Sequence, residues 1–235
     1  MKFASRMERL QDKALLNAME LTETNDMISF SAGYPSPETY PIEAIKESFI
    51  QVLDLEGKEA LSYCSTSGYG KLRELIAKRM RDRFGLDYKI EEVVITSGSQ
   101  QAVDMSSMLF INKDDVVLFE TPSYLGAVNA LKAYEAELVA LPTDKDGLIL
   151  DSLKQALDQY GERVKLIYVI PDFQNPTGRS WSAERRQAFM ELISSYGIPV
   201  IEDAAYSELS FEDRLEKPLS FYDKKGQVVY VGTFS

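Results

Sequence analysis

From about Glu91 onward, short β-branched runs alternate with stretches that carry apolar residues at helical spacing. That alternation confines the chain to few folds. The runs lie at 93–96, 116–120, 137–141, 166–170, 198–202 and 228–231, and most are apolar almost without interruption, as strands buried on both faces must be. The clearest helix covers 182–196. Ser182 is placed to cap it, Ala188, Phe189, Leu192, Ile193 and Tyr196 share one face, and Gly197 stops it. Residues 151–160 repeat the scheme and end at Gly161, while Leu72, Leu75, Ile76 and Met80 mark another helix closed by Gly85. Strands alternating with helices predict an α/β fold with a mostly parallel sheet and right-handed crossovers.

The first forty residues break this pattern. A single helix is expected over 6–23, followed at 30–41 by FSAGYPSPETYP, too rich in Pro, Gly and Ser for regular structure. These features predict an arm outside the sheet domain.

Composition narrows the chemistry. The 235 residues include no histidine, which removes the usual general base, the Ser-His and Cys-His nucleophile pairs and the commonest metal ligand. What remains is carboxylate, amine, phenol or a bound cofactor. One cysteine, Cys64, cannot form an intrachain disulfide or a multi-thiolate zinc site and is read as a small packing residue. The formal charge of −11, from 26 basic and 37 acidic residues, argues against a nucleic-acid surface but leaves room for a local anion site. No apolar run approaches the ~18 residues of a membrane span, and charges are scattered through residues 1–9, where a signal peptide would be apolar. A cytoplasmic protein with no membrane contact is expected.

Three segments carry candidate chemistry. TSGSQQA at 96–102 follows an expected strand and opens an expected helix, so backbone N–H groups and the helix dipole would converge on an anion. Taken alone, a glycine turn with a serine cap explains the segment equally well. NPTG at 175–178 comes just after the run ending at Ile170, and Asp203 lies just past the run 198–202 with Tyr206 three residues on. A carboxylate there serves either a ligand or a helix N-terminus. Gly98 to Gln101, Asn175, Asp203 and Tyr206 each follow a different strand, so a parallel sheet would bring them to one rim. A ligand with a phosphate at one end and a polar aromatic ring at the other would use all of them.

The order SGSQQA, TPSY at 121–124, NPTG, IEDAAY at 201–206 and VGTFS at 231–235 resembles the pyridoxal 5′-phosphate (PLP) aminotransferases of class I/II, the aspartate aminotransferase superfamily of fold type I. The motif style is closest to the subgroup of aromatic and 2-aminoadipate aminotransferases. The resemblance implies a fold-type I large domain over 43–235, preceded at 1–42 by an arm belonging to an incomplete small domain. It implies that the amides of Ser99 and Gln100 hold the cofactor phosphate, with Thr233 and Ser235 adding hydroxyl donors. Tyr124 would stack on the pyridine ring, Asn175 and Tyr206 would hydrogen-bond its phenolic oxygen, and Asp203 would pair with the ring nitrogen. LSYCSTSGYG at 61–70 resembles the segment that crosses a dimer interface, so Tyr63 would reach the partner subunit's phosphate in a homodimer. Gly33 matches the residue whose backbone lies beside the substrate carboxylate, and the resemblance implies that Asn175 also contacts the substrate.

The family's Schiff-base lysine is expected directly after Ser235, as though the chain were interrupted at a lysine carrying cofactor, and the 235 residues do not themselves contain it. Lys217, Lys224 and Lys225 are read as solvated surface charges. The activity implied is ping-pong transfer of an amino group between an α-amino acid and a 2-oxo acid. The same fold also serves as the ligand-sensing domain of transcription regulators and in PLP lyases. A nicotinamide dehydrogenase is disfavoured, because no GxGxxG fingerprint is present.

Overall fold

A computed structural model describes residues 2–4, 6–7, 33, 35–211 and 215–235. The helix expected over 6–23 lies almost wholly outside these residues. The chain divides into two compact units, Gln11–Tyr69 and Gly70–Ser235, the latter taking in Met1–Leu10.

Within the first unit, α1 runs Ile42–Ala60 and leaves helical geometry at Glu56. The side chain of Glu56 accepts a hydrogen bond from the Tyr69 hydroxyl at 2.7 Å, which ties the end of this unit back to the helix. Cys64 is exposed and so is not the packing residue that its chemistry suggested.

The second unit holds a six-stranded sheet in the order β3-β2-β1-β4-β5-β6. Its strands are β1 Val116–Thr121, β2 Glu137–Asp144, β3 Gly147–Leu148, β4 Val164–Val169, β5 Val200–Asp203 and β6 Val228–Val231. All pairings are parallel except β2 with β3, as the near-continuous apolar runs predict. Chain progression turns around at β1: β2 lies on one side of it, and β4, β5 and β6 follow on the other. In an open α/β sheet such a turnaround leaves a crevice at the carboxyl ends of the strands.

The helices of this unit are α2 Gly70–Phe84, α3 Gly98–Phe110, α4 Leu125–Ala133, α5 Leu150–Tyr160, α6 Ala183–Ile193 and α7 Leu219–Tyr222. Two apolar layers follow from strand alternation. On one face Val103 of α3 and Ala127 and Leu131 of α4 pack against Val117, Leu166, Tyr168, Ile201 and Val231. On the other, Leu153 and Leu157 of α5, Phe189 and Ile193 of α6 and Leu219 of α7 pack against Leu118, Ile167, Val169 and Val200. Pairing of β1 with β4 jumps from Val116↔Val164 to Val117↔Leu166. This bulge at Lys165 explains why Val164 and Ile167, an odd number of residues apart, share one layer.

Several expectations need correction. Residues 93–96 form no strand. A strand exists only through a partner's hydrogen bonds, and no described strand pairs with them; the carbonyl of Val93 is taken instead by Arg73 Nε at 2.7 Å. In α6, Ser182 caps as expected, accepting from the Arg185 amide at 3.2 Å, but Tyr196 lies beyond the helix and is exposed. The inward face instead carries Arg186, fully buried. Lys217 is not a free surface charge either: its ammonium donates to Phe84 O at 2.7 Å, capping the carbonyl end of α2, and lies 4.9 Å from the Phe221 ring centre. Lys225 likewise donates to Ser194 O. No helix among the described residues is long and apolar enough to cross a membrane.

Candidate active site

Helix α3 leads through residues 111–115 into the start of β1. About 20 Å of helix therefore runs back alongside about 20 Å of strand, and the first turn of α3 arrives at the carboxyl end of the sheet. Ser97 precedes the helix, and Gly98 enters it at φ +77, a left-handed conformation that side chains other than glycine's rarely adopt. The Ser97 amide is taken by Gln101 Oε1 at 2.6 Å. The amides of Ser99 and Gln100 stand in the first turn, where no intrahelical acceptor exists. With the positive end of the helix dipole, they form a site for an anion.

Two side-chain bridges lock the neighbouring loops to this turn. Gln100 Nε2 donates to Gly126 O at 2.9 Å, joining the first turn of α3 to that of α4. Gln174 Nε2 donates to Pro122 O at 2.6 Å, and its Oε1 accepts from the Thr177 amide at 2.9 Å and the Thr177 hydroxyl at 2.7 Å. Gln174 therefore staples the NPTG turn that follows β4 to the TPSY loop that follows β1. Tyr124 stands immediately before α4, and its ring lies so close over Gly126 that a Cβ there would come within 2.4 Å of the ring's Cζ. Gly126→Ala is expected to push that ring off its seat. If Tyr124 stacks on a bound ring, as the resemblance implies, cofactor affinity should fall about tenfold, the weight of one aromatic contact, when the cofactor-stripped full-length protein is titrated with PLP.

At the end of β5, Asp203 is 4% exposed. Its Oδ2 accepts from the Tyr168 hydroxyl at 2.6 Å, while Oδ1 is buried with no hydrogen-bond partner. An orphaned buried acceptor is rare in a folded protein and points to a missing donor. Burial raises the Asp203 carboxyl above the usual carboxylate range, opposed by the Tyr168 hydroxyl and the Ala205 amide. Tyr206 follows in the next turn, partly buried, and Asn175 is partly buried in the NPTG turn. Past the end of β6, the hydroxyls of Thr233 and Ser235 lie 2.8 Å apart, and the Ser235 amide donates to Thr233 Oγ1 at 3.1 Å. Either hydroxyl can keep its bond to the other as an acceptor and donate outward.

The structure thus gathers Ser99, Gln100, Tyr124, Asn175, Asp203, Tyr206, Thr233 and Ser235 onto loops at the carboxyl ends of β1, β4, β5 and β6 and the first turn of α3. Gly33 and Tyr63 belong to the other compact unit, where both are exposed. An open depression of about 360 Å³ lined by Glu74, Ala77, Lys78, Arg81 and Tyr88 among others shares no residue with the rim.

Sequence reasoning missed the residues that brace the site. Tyr168 and Gln174 are two. Glu120, buried on the far face of β1, accepts from the Ile170 amide at 2.7 Å and from Trp181 Nε1 at 3.2 Å, which fixes the chain leaving β4. Glu202 accepts from the amides of Leu219 and Ser220 at 2.6 and 3.2 Å. Burial pushes each carboxyl up to about 7. The available signal was an acidic residue closing an otherwise apolar run, which a strand buried on both faces tolerates only with dedicated donors.

A buried carboxylate oxygen without a donor at one strand end, with free amides at the first turn of the adjoining helix, is chemically suited to a phosphorylated, nitrogen-bearing ring. Residues 25–235 match the family described as aminotransferase class I and II, and the chain belongs to that family. It is 39% identical over 99% of its length to aromatic-amino-acid aminotransferase 1 of Thermococcus litoralis, covering 57% of that protein. It is 35% identical over 97% of its length to 2-aminoadipate transaminase of Thermus thermophilus, covering 56%. Among solved structures, a kynurenine aminotransferase of Pyrococcus horikoshii in complex with PMP superposes with a TM-score of 0.92 at 35% identity, over 99% of this chain and 58% of that one. The chain therefore has the fold of the corresponding part of these enzymes and spans less than three fifths of their length.

Proposed function

We propose that the full-length protein is a PLP-dependent aminotransferase that moves an amino group between an α-amino acid and a 2-oxo acid by a ping-pong mechanism, with substrates of the aromatic or 2-aminoadipate class. The observation that carries this reading is the unpartnered, buried Oδ1 of Asp203. It fits a ring N–H, and the first turn of α3 fits the phosphate. When bound, the cofactor supplies an electron sink for charge developed at the substrate Cα. The chain's own residues bind and tune it. Ser99 and Gln100 amides with the Thr233 and Ser235 hydroxyls hold the phosphate, Tyr124 covers the ring, Asn175 and Tyr206 engage its phenolic oxygen, and Asp203 keeps the ring nitrogen protonated. In a homodimer, Tyr63 reaches the partner subunit's phosphate and Gly33 lies beside the substrate carboxylate.

The absorption spectrum of the purified full-length protein tests this reading. A visible cofactor band that bleaches with a donor amino acid and returns with a 2-oxo acid is expected. A band that no amino acid alters would favour the ligand-sensing role known for this fold in transcription regulators, and absence of any band would overturn the cofactor assignment.

A further inference from the structure

Tyr168 lies on β4 opposite Ile201 of β5. Asp203 is two residues further toward the rim on that neighbouring strand, on the same face, and a tyrosine is long enough to span this diagonal. Its ring sits in the apolar layer formed by Val103, Leu166 and Ile201, where it is wholly buried. A phenol in such surroundings must find an acceptor, and the acceptor is Asp203 Oδ2 at 2.6 Å. Burial, with the Asp203 carboxylate beside it, pushes the Tyr168 hydroxyl well above the ordinary phenol range. The group therefore keeps its proton, so the direction of the bond is settled: tyrosine donates and the carboxylate accepts. The other titratable groups acting on Tyr168 are Glu120 on β1 and Tyr124 before α4. Burial raises the Asp203 carboxyl, and the Tyr168 hydroxyl and the Ala205 amide act against it.

We propose that Tyr168 is a positioning residue for the cofactor site: by holding Oδ2, its hydroxyl fixes the rotation of the Asp203 carboxylate, leaves Oδ1 as the acceptor for a ligand donor, and favours the charged form that a ring N–H requires. A carboxylate buried to this degree otherwise tends to take up a proton, and a neutral carboxyl could present its own O–H to the ring nitrogen, leaving the ring unprotonated. The tyrosine thus acts on the cofactor only through Asp203. This inference rests on the reading of Asp203 as the ring-nitrogen partner.

The test follows the Asp203 carboxyl by carbon NMR through a pH titration of the cofactor-stripped full-length protein, with Asp203→Asn identifying its signal. Tyr168→Phe removes the hydroxyl and keeps the ring. Losing a donor to the charged form should raise the titration midpoint by about one pH unit, a tenfold tighter hold on the proton. Incorporating 3-fluorotyrosine at position 168 gives a more acidic, stronger donor of nearly the same volume and should lower the midpoint. Opposite shifts support the proposal, because a general loosening of packing would move both the same way. An unchanged midpoint in Tyr168→Phe, or shifts of one sign in both proteins, overturns it. Should Tyr168→Phe not fold, the fluorinated protein decides alone, a downward shift supporting and no shift overturning. PLP binding to the unsubstituted protein is measured alongside. If none binds, the cofactor reading falls while the result for the Tyr168–Asp203 pair still stands.

Discussion

Asp203→Ala in the full-length protein is expected to lower kcat about 10²–10³-fold, the usual cost of removing a fixed electrostatic partner from a reacting centre, while cofactor affinity falls far less. The asymmetry follows from the division of labour at the rim. On the proposed assignment, binding draws on the phosphate donors at the first turn of α3 and after β6, with none of which Asp203 shares a hydrogen bond. In the proposed role the carboxylate would instead govern how readily the ring accepts electrons, since only the protonated ring is a strong sink. Asp203→Asn should lose a comparable factor, because an amide keeps the shape and lacks the charge. Steady-state rates and a cofactor titration on the same preparations separate the two quantities. Undiminished turnover in either variant would remove the role assigned to Asp203.

The second large effect concerns stability. Arg186 of α6 is fully buried and pairs with the two oxygens of Asp172, at 2.5 and 3.2 Å. It also donates to the carbonyls of Trp181, Pro171 and Lys217 at 3.2, 3.0 and 3.3 Å. One guanidinium therefore joins the chain leaving β4, the approach to α6 and the residue before Pro218, where α7 begins. Arg186→Met strips these contacts and leaves Asp172, itself 5% exposed, as an uncompensated buried charge. A loss of about 3–5 kcal/mol is expected, read as a lower denaturant midpoint. Asp172→Leu combined with Arg186→Met should recover much of that loss, since removing both charges leaves no orphan. A single Arg186→Met variant as stable as the unsubstituted protein would show that the pair contributes little. Arg186→Lys should not rescue, because an ammonium cannot fill the planar fork that meets Asp172 and three carbonyls.

Much of the frame was legible before any coordinates. Five of the six strands were visible as apolar runs, and each lies within a few residues of its expected bounds. The exception, the two-residue β3, is too short to leave a pattern. The run at 93–96 misled in the other direction: Val93, Val94 and Ile95 have strand composition, but composition cannot supply a partner. Arg186 and Glu120 were missed because a charged side chain in sequence reads as solvated, and only its neighbours reveal that donors or carbonyls have been gathered around it.

By itself, the sequence determined the alternating α/β architecture and the parallel sheet, through periodicity that strands and helices impose on any chain. It also determined which loops carry candidate chemistry, because the residues after each parallel strand must reach one rim. Tertiary structure alone decided how those residues are held. That Gln100 reaches Gly126, that Gln174 bridges two loops, and that Tyr168 occupies one oxygen of Asp203 while leaving the other free are contacts between segments far apart in the chain. They depend on register, burial and side-chain reach, quantities that become defined only when the elements pack.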